Sequence, residues 1–400
     1  MSYIKLFGLN LQYVNIGKGE DKQTKFSVNQ KSYIKDSTAA TGFGYSCDTK
    51  DNVAVVGAYR TSTLLGKAYI YDINDGELTL NSIITPTVQS SSSTQKTWFG
   101  FSVSTDGDWV AISAPYDNKG CVYLYKKSGT GWSSTPTQII TPDAMNSGNK
   151  TGTVYGFSVS MKNNVLVIGY PGYNGSVGGI DVYTLSGDTW TSVSTDNTYT
   201  LSVKYGFSVS TDGTYIVIGG TNTTTTGGTN AGGICILKIS GSTITNVIEL
   251  QAPGTLAGTN NNFGYSVSIS NNIVAVGAPN EGNGQVFVYD VLGNNTATLT
   301  VGTTSGTIID SNVTSTSKIG TSISIGDNGS VIIAGAPGYN SNGGTVYMFQ
   351  DISGTWGSTA NTGSQLLPSP ASNTFGTSVS MDGGFILSGA YSGGAVYAFI

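Results

Sequence analysis

An all-β fold, a single seven-bladed β-propeller of four-stranded antiparallel blades, is the class this sequence predicts. Three observations carry it. One phrase recurs seven times at a near-constant period. Each copy holds apolar runs joined by tight turns. The last copy stops about halfway, so its missing part has to come from the other end of the chain.

The copies begin at Phe43-Gly44, Phe99-Gly100, Tyr155-Gly156, Tyr205-Gly206, Phe263-Gly264, Ile319-Gly320 and Phe375-Gly376, spaced by 56, 56, 50, 58, 56 and 56 residues. Self-similarity at such a period marks a repeat architecture. In the second copy the phrase reads FGFSVSTDGDWVAISAP followed by CVYLY. Its first two runs are joined by Asp106-Gly107. The other copies place Asp51-Asn52, Asn163-Asn164, Asp212-Gly213, Asn271-Asn272, Asp327-Asn328-Gly329 and Asp382-Gly383-Gly384 at that point. These residues tolerate the backbone of a short hairpin, which makes strands one and two antiparallel neighbours.

A glycine-rich loop leads to a third run. A fourth follows in six copies, as at Leu78 to Ile84, Thr137 to Thr141, Ile244 to Leu250 and Thr296 to Val301, alternating or β-branched as half-buried strands are. Four strands in about 55 residues make a propeller blade. The seventh copy ends after its third strand. Thr24 to Lys35 reads as the outer strand that completes it, closing the ring and covering edges that would otherwise pair with other chains. Residues 13–400 are therefore expected to form one domain, with residues 1–12 as an N-terminal arm and candidate docking segment. The arm reads as an extended strand for a neighbour's sheet edge or for its own outer blade.

Residues at fixed offsets, with Gly277-Ala278-Pro279 and Gly335-Ala336-Pro337 closing the second strand, resemble the FG-GAP repeat family of β-propellers, which includes the head of integrin α chains. The resemblance covers Phe43 to Ile400 and implies protein recognition. The copies depart from the pattern at Gly57-Ala58-Tyr59, Ser113-Ala114-Pro115, Gly169-Tyr170-Pro171, Gly389-Ala390-Tyr391 and Gly219-Gly220-Thr221. Integrin-type blades often carry an acidic calcium loop between strands one and two. Here that link has shrunk to a hairpin turn in every copy, and Asp106 with Asp108 is its closest remnant, two carboxylates without a third ligand position and so a weak cation site at most. No metal and no cofactor is expected.

Composition narrows the function classes. Only 10% of residues are charged, while 56 glycines and abundant Ser, Thr and Asn fill the connections, giving a neutral, hydrogen-bonding surface. A formal charge of -5 offers no basic stripe for nucleic acid. With no histidine, neither a Ser-His-Asp triad nor a His-ligated metal can form. Carboxylate chemistry of the glycosidase kind is the remaining catalytic option. It needs two acids roughly 5 to 10 Å apart, and no such pair stands out in the sequence. The chain therefore reads as not an enzyme. Cys47, Cys121 and Cys235 fall at strand positions of different blades and behave as small apolar groups without a disulfide framework. Trp132, Trp190 and Trp356 recur in register before the fourth strand, as packing residues do.

The candidate site lies on one face. Links between strands two and three and between blades emerge together, and they include the long stretches 85–98, 143–154, 221–233 and 301–318. Variable loops on a rigid scaffold are where binding surfaces usually reside. Tyr59, Tyr116, Tyr170, Tyr173, Tyr339 and Tyr391 all follow a second strand, and Arg60 is the only arginine of the chain. Tyrosine and arginine are favoured at interfaces, although the same rings would serve equally to cover the end of the channel.

The expected partners are proteins, including neighbouring subunits of a larger assembly, or a glycan in a lectin-like alternative. No apolar run is long enough to span a membrane. No signal-peptide pattern opens the sequence, and with the neutral composition this favours a virion surface or an extracellular setting.

Overall fold

A computed structural model describes residues 3–6, 9–12, 28–36, 42–60, 65–86, 97–117, 119–142, 154–172, 178–193, 204–221, 224–225, 228–229, 231–253, 261–299, 301–302, 308–309, 313–326, 328–351, 356 and 362–400. Within them the expected architecture is present. Seven antiparallel sheets each contain a first, second, third and fourth strand in that spatial order. In blade 1 these are Phe43–Lys50, Val53–Ala58, Lys67–Asn74 and Glu77–Ile84. Blade 2 has the shortest fourth strand, Gln138–Ile140.

Closure follows the predicted route. Gln30–Lys35 pairs antiparallel with Ala395–Phe399, placing Tyr33 opposite Tyr397 and Ile34 opposite Val396. Asn29 and Ile400 exchange two further backbone bonds, of 2.7 and 2.9 Å. The expected start of this strand, residues 24–27, lies outside the described residues, as do most of the long loop stretches. The N-terminal segment differs from a single extended strand: Tyr3–Leu6 pairs with Leu9–Gln12 as a hairpin. Only Phe7 and Gly8 separate the two in sequence, the spacing of a two-residue hairpin link.

The core is divided among the seams. Seven buried clusters occur among the described residues, each made by two neighbouring blades, and one of them joins blade 7 to blade 1. Second strands explain this. Val53 and Val55 face the cluster shared with blade 2, while Ala54 and Val56 face the one shared with blade 7. A strand covered on both sides has no polar face, which is why VAVVGA is apolar throughout.

The expected structural residues sit as predicted. Cys121 and Cys235 are buried, and Cys47, half-buried by exposure but enclosed by the blades, has its thiol pushed up to about 12 by burial. Trp132, Trp190 and Trp356 are buried as packing residues in the clusters between neighbouring blades, with Trp190 meeting Trp109 edge-on at 5.8 Å.

Candidate functional site

First strands line the central channel, and their repeated serines join the blades. The sixth residue of each copy accepts a hydrogen bond from the backbone N–H of the seventh residue in the next blade. Around the ring, Thr105 N–H donates to Asp48, Met161 to Ser104, Thr211 to Ser160, Ile269 to Ser210, Ile325 to Ser268, Met381 to Ser324 and Thr49 to Ser380, all at 2.9 to 3.1 Å. Seven bonds close the circle.

Asp48 is the one non-serine member of that ring. Its carboxylate accepts from Thr49 N–H, Ser104, Thr105 N–H and Ser380 at 2.8 to 2.9 Å. Burial raises its carboxyl above the ordinary carboxylate value, and these donors oppose the rise. Beside it Lys50 pairs with Asp382 at 2.8 Å, tying blade 1 to blade 7. The space enclosed is about 90 Å³, small against the 300–1,000 Å³ of typical ligand pockets. This end of the channel is a structural joint. Asp106 is likewise committed to its turn, accepting from Asp108 and Trp109 N–H at 3.1 and 2.8 Å.

A second serine, the fourth residue of each copy, donates across the seam to the glycine carbonyl of the next blade. The bonds from Ser46 to Gly100, Ser158 to Gly206, Ser208 to Gly264, Ser266 to Gly320, Ser322 to Gly376 and Ser378 to Gly44 measure 2.7 to 3.0 Å. The close approach explains the glycine of the GAP phrase: a Cβ at Gly335 would stand 1.9 Å from Gly376 O and 2.3 Å from Ser322 Oγ. Blade 2 departs from the pattern. Ser113 occupies the glycine position and accepts from Ser102 N–H, while Ser102 Oγ accepts from Val159 N–H instead.

The loop-rich mouth is aromatic on one side. The third residue of each copy is Tyr45, Phe101, Phe157, Phe207 and Tyr265 in blades 1 to 5, with successive ring centroids 5.0 to 5.1 Å apart. In blades 6 and 7 the position holds Thr321 and Thr377. Above this collar, at the seam of blades 7, 1 and 2, the repeat changes. Four blades follow their second strand with proline, whereas blades 1 and 7 carry Tyr59 and Tyr391. These rings stack at 6.1 Å and 19°, and both contact Tyr45, at 4.5 and 5.4 Å. Trp98 extends the group to Phe101, Tyr59 and Tyr116 at 5.6, 5.2 and 4.3 Å.

Polar groups cap the cluster. Arg60 is exposed and donates from Nη1 to the Tyr391 hydroxyl at 3.2 Å, and the Tyr59 and Tyr391 hydroxyls lie 3.3 Å apart. Burial works to raise the Tyr391 phenol, but the bonds from Tyr59 and Arg60 and the arginine charge outweigh it and hold the group below its usual value. Tyr59 moves upward, by burial first and then through its bond to Tyr391.

Of the residues expected in the site, Tyr59, Arg60, Tyr116 and Tyr391 thus come together. Tyr170 is buried, donating to Ile180 O and Asp181 Oδ1, both at 2.9 Å, and Tyr339 is buried at the seam of blades 5 and 6. Tyr173 lies outside the described residues. Three members escaped sequence reasoning: Tyr45, Phe101 and Trp98. Aligning the seven copies carries the signal for the first two, since their column is aromatic five times and threonine twice.

Fold and repeat geometry define the chain as a seven-bladed β-propeller with its irregularities gathered at one channel mouth. The chain is similar to the FG-GAP repeat family, whose model matches residues 90–125 and 257–289, at the starts of blades 2 and 5. Such propellers are protein-interaction or adhesion-type modules and are generally non-catalytic. No curated protein matches the chain.

Proposed function

We propose that the protein is a non-catalytic structural or attachment module that binds a protein partner through its loop-rich face, as an exterior component of an assembly such as a virion. One observation carries this reading. Two departures from the repeat, Tyr59 and Tyr391, meet at the loop-rich mouth over blades 7, 1 and 2, where with Trp98 and Arg60 they assemble tyrosine, tryptophan and arginine, the residues that dominate binding energy at interfaces. A neutral, hydroxyl-rich composition supports the exterior placement. The N-terminal hairpin belongs to the same proposal as a docking segment outside the propeller of residues 13–400. Its deletion should release the protein from its assembly without unfolding it.

Site-directed attachment of polyethylene glycol tests the face. The three native thiols are enclosed, and burial raises them all, so a new surface cysteine reacts selectively. Attachment at Tyr116→Cys should abolish incorporation into the native assembly. Attachment at Asp108→Cys, on the hairpin face, should leave it intact. Equal tolerance of both would sink the proposal. The lectin alternative draws on the same platform, since flat rings also stack on sugars, and a glycan array without hits discards it.

A further inference from the structure

We propose that Arg60 and Tyr391 form a receptor for the carboxylate of an acidic side chain on the partner protein, with Tyr116 and Trp98 as the apolar shelf for a residue beside that acid. The inference rests on the recognition reading above and names the chemistry of what is recognised.

Charge is the first argument. Arg60 is the only arginine in an acidic chain and stands exposed at the loop-rich mouth. Guanidinium offers five donors in a planar fork suited to carboxylates. Its hydrogen bond here goes to a neutral phenol, and no ion pair with a carboxylate forms among the described residues. Residues 61–64, Thr-Ser-Thr-Leu, bring no acid of their own.

Donor geometry is the second. The Tyr391 oxygen accepts from Arg60 and, with Tyr59 as donor, from a second phenol, so its own hydrogen is left for an incoming acceptor. A phenol polarised by a neighbouring cation is a strong donor. Guanidinium and phenol then present donors to one anion from adjacent points.

The repeat supplies the third. Arg60 and Tyr391 are 331 residues apart and meet only because the ring closes. Both lie where blades 1 and 7 abandon the proline of their counterparts. The exposed part of the shelf is aromatic, with Tyr116 at 42% exposure and in ring contact with Trp98. An acid flanked by an apolar residue satisfies the cation and the shelf together.

Having a single arginine makes the test direct, because the full-length protein gives one guanidinium Nε–H signal in a nitrogen-edited NMR spectrum. The peptide Ac-Gly-Asp-Phe-Gly-NH2 is titrated to about 10 mM, beside its Asn counterpart, sialyllactose and lactose, a range that covers the weak affinity of one carboxylate contact. A saturable shift with the Asp peptide and none with the Asn peptide is expected. Tyr391→Phe should weaken binding at least threefold, and Arg60→Lys, followed through intrinsic tryptophan fluorescence, should weaken it about tenfold, a loss of roughly 1.4 kcal/mol. Both variants alter exposed or half-exposed groups and should keep the wild-type melting temperature. No saturable shift, an equal shift with the Asn peptide, or saturation by sialyllactose alone overturns the inference. Each of those leaves the outcome of the polyethylene glycol experiment untouched, so the two readings fail separately.

Discussion

The two mouths of the channel are built from the same seven strands and obey opposite rules. At the hairpin end every blade repeats one contact, and even the odd residue, Asp48, accepts the bond that a serine accepts elsewhere. At the loop-rich end the corresponding columns diverge, from aromatic to threonine and from proline to tyrosine. A position that must join two blades is constrained seven times over. A position that touches only solvent or a neighbouring loop is free to vary, and two such variants, Tyr59 and Tyr391, meet at one seam. Regularity marks what holds the ring, and irregularity marks where it meets something else.

The largest expected effect erases both mouths together. Removing residues 1–36 strips the fourth strand from blade 7 and exposes the Ala395–Phe399 edge. The shortened chain should lose its cooperative thermal transition and aggregate, as size-exclusion chromatography and circular dichroism would show. Next comes Gly335→Val. With backbone 1.9 Å from the new Cβ, we expect a loss of more than about 4 kcal/mol in denaturant unfolding, or no soluble protein. Ser113 shows that a side chain fits that column only where the seam serine bond is rearranged.

Smaller changes sharpen the contrast. Ser322→Ala removes one seam bond and leaves the Gly376 carbonyl unpaired, which should cost about 1–2 kcal/mol. Tyr391→Phe at the other mouth should cost less than about 0.5 kcal/mol, since it removes one partly exposed hydroxyl. Equal losses would end the distinction between the mouths.

The smallest effect concerns Asp48. Its carboxyl is held above 3.8 in the folded protein, so the folded state binds that proton more tightly than the unfolded chain does. The resulting stability is complete below 3.8 and is lost as pH rises through the folded value. Asp48→Ser should therefore raise the melting temperature at pH 7 by about 1–2 °C, with the gain fading as pH falls toward 3.8. An unchanged difference at both pH values would show that the hydrogen bonds outweigh burial.

Much of this was legible because it is local or repeated. The turn at Asp106-Gly107 follows from residues that tolerate its backbone, and the closing strand at Gln30–Lys35 from counting what the seventh copy lacks. Burial of the cysteines and of Trp132, Trp190 and Trp356 followed from their register. The tyrosine column was the harder case. Tyr59 and Tyr391 occupy equivalent places in their blades, whereas Tyr170 stands one residue earlier, in the column of Ala58 and Ala390, and donates to Asp181 inside its own blade. That the first two meet at the mouth depends on ring closure, since 332 residues separate them in sequence.

By itself the sequence determined the number of blades, their hairpins, the closing strand and the glycine columns, because each follows from a short stretch of chain or from its repetition. Only the tertiary structure decided which repeated serines reach across a seam and which aromatic rings meet at its mouth. Those contacts join blades through ring closure, and their geometry exists only once the first and last blades stand side by side.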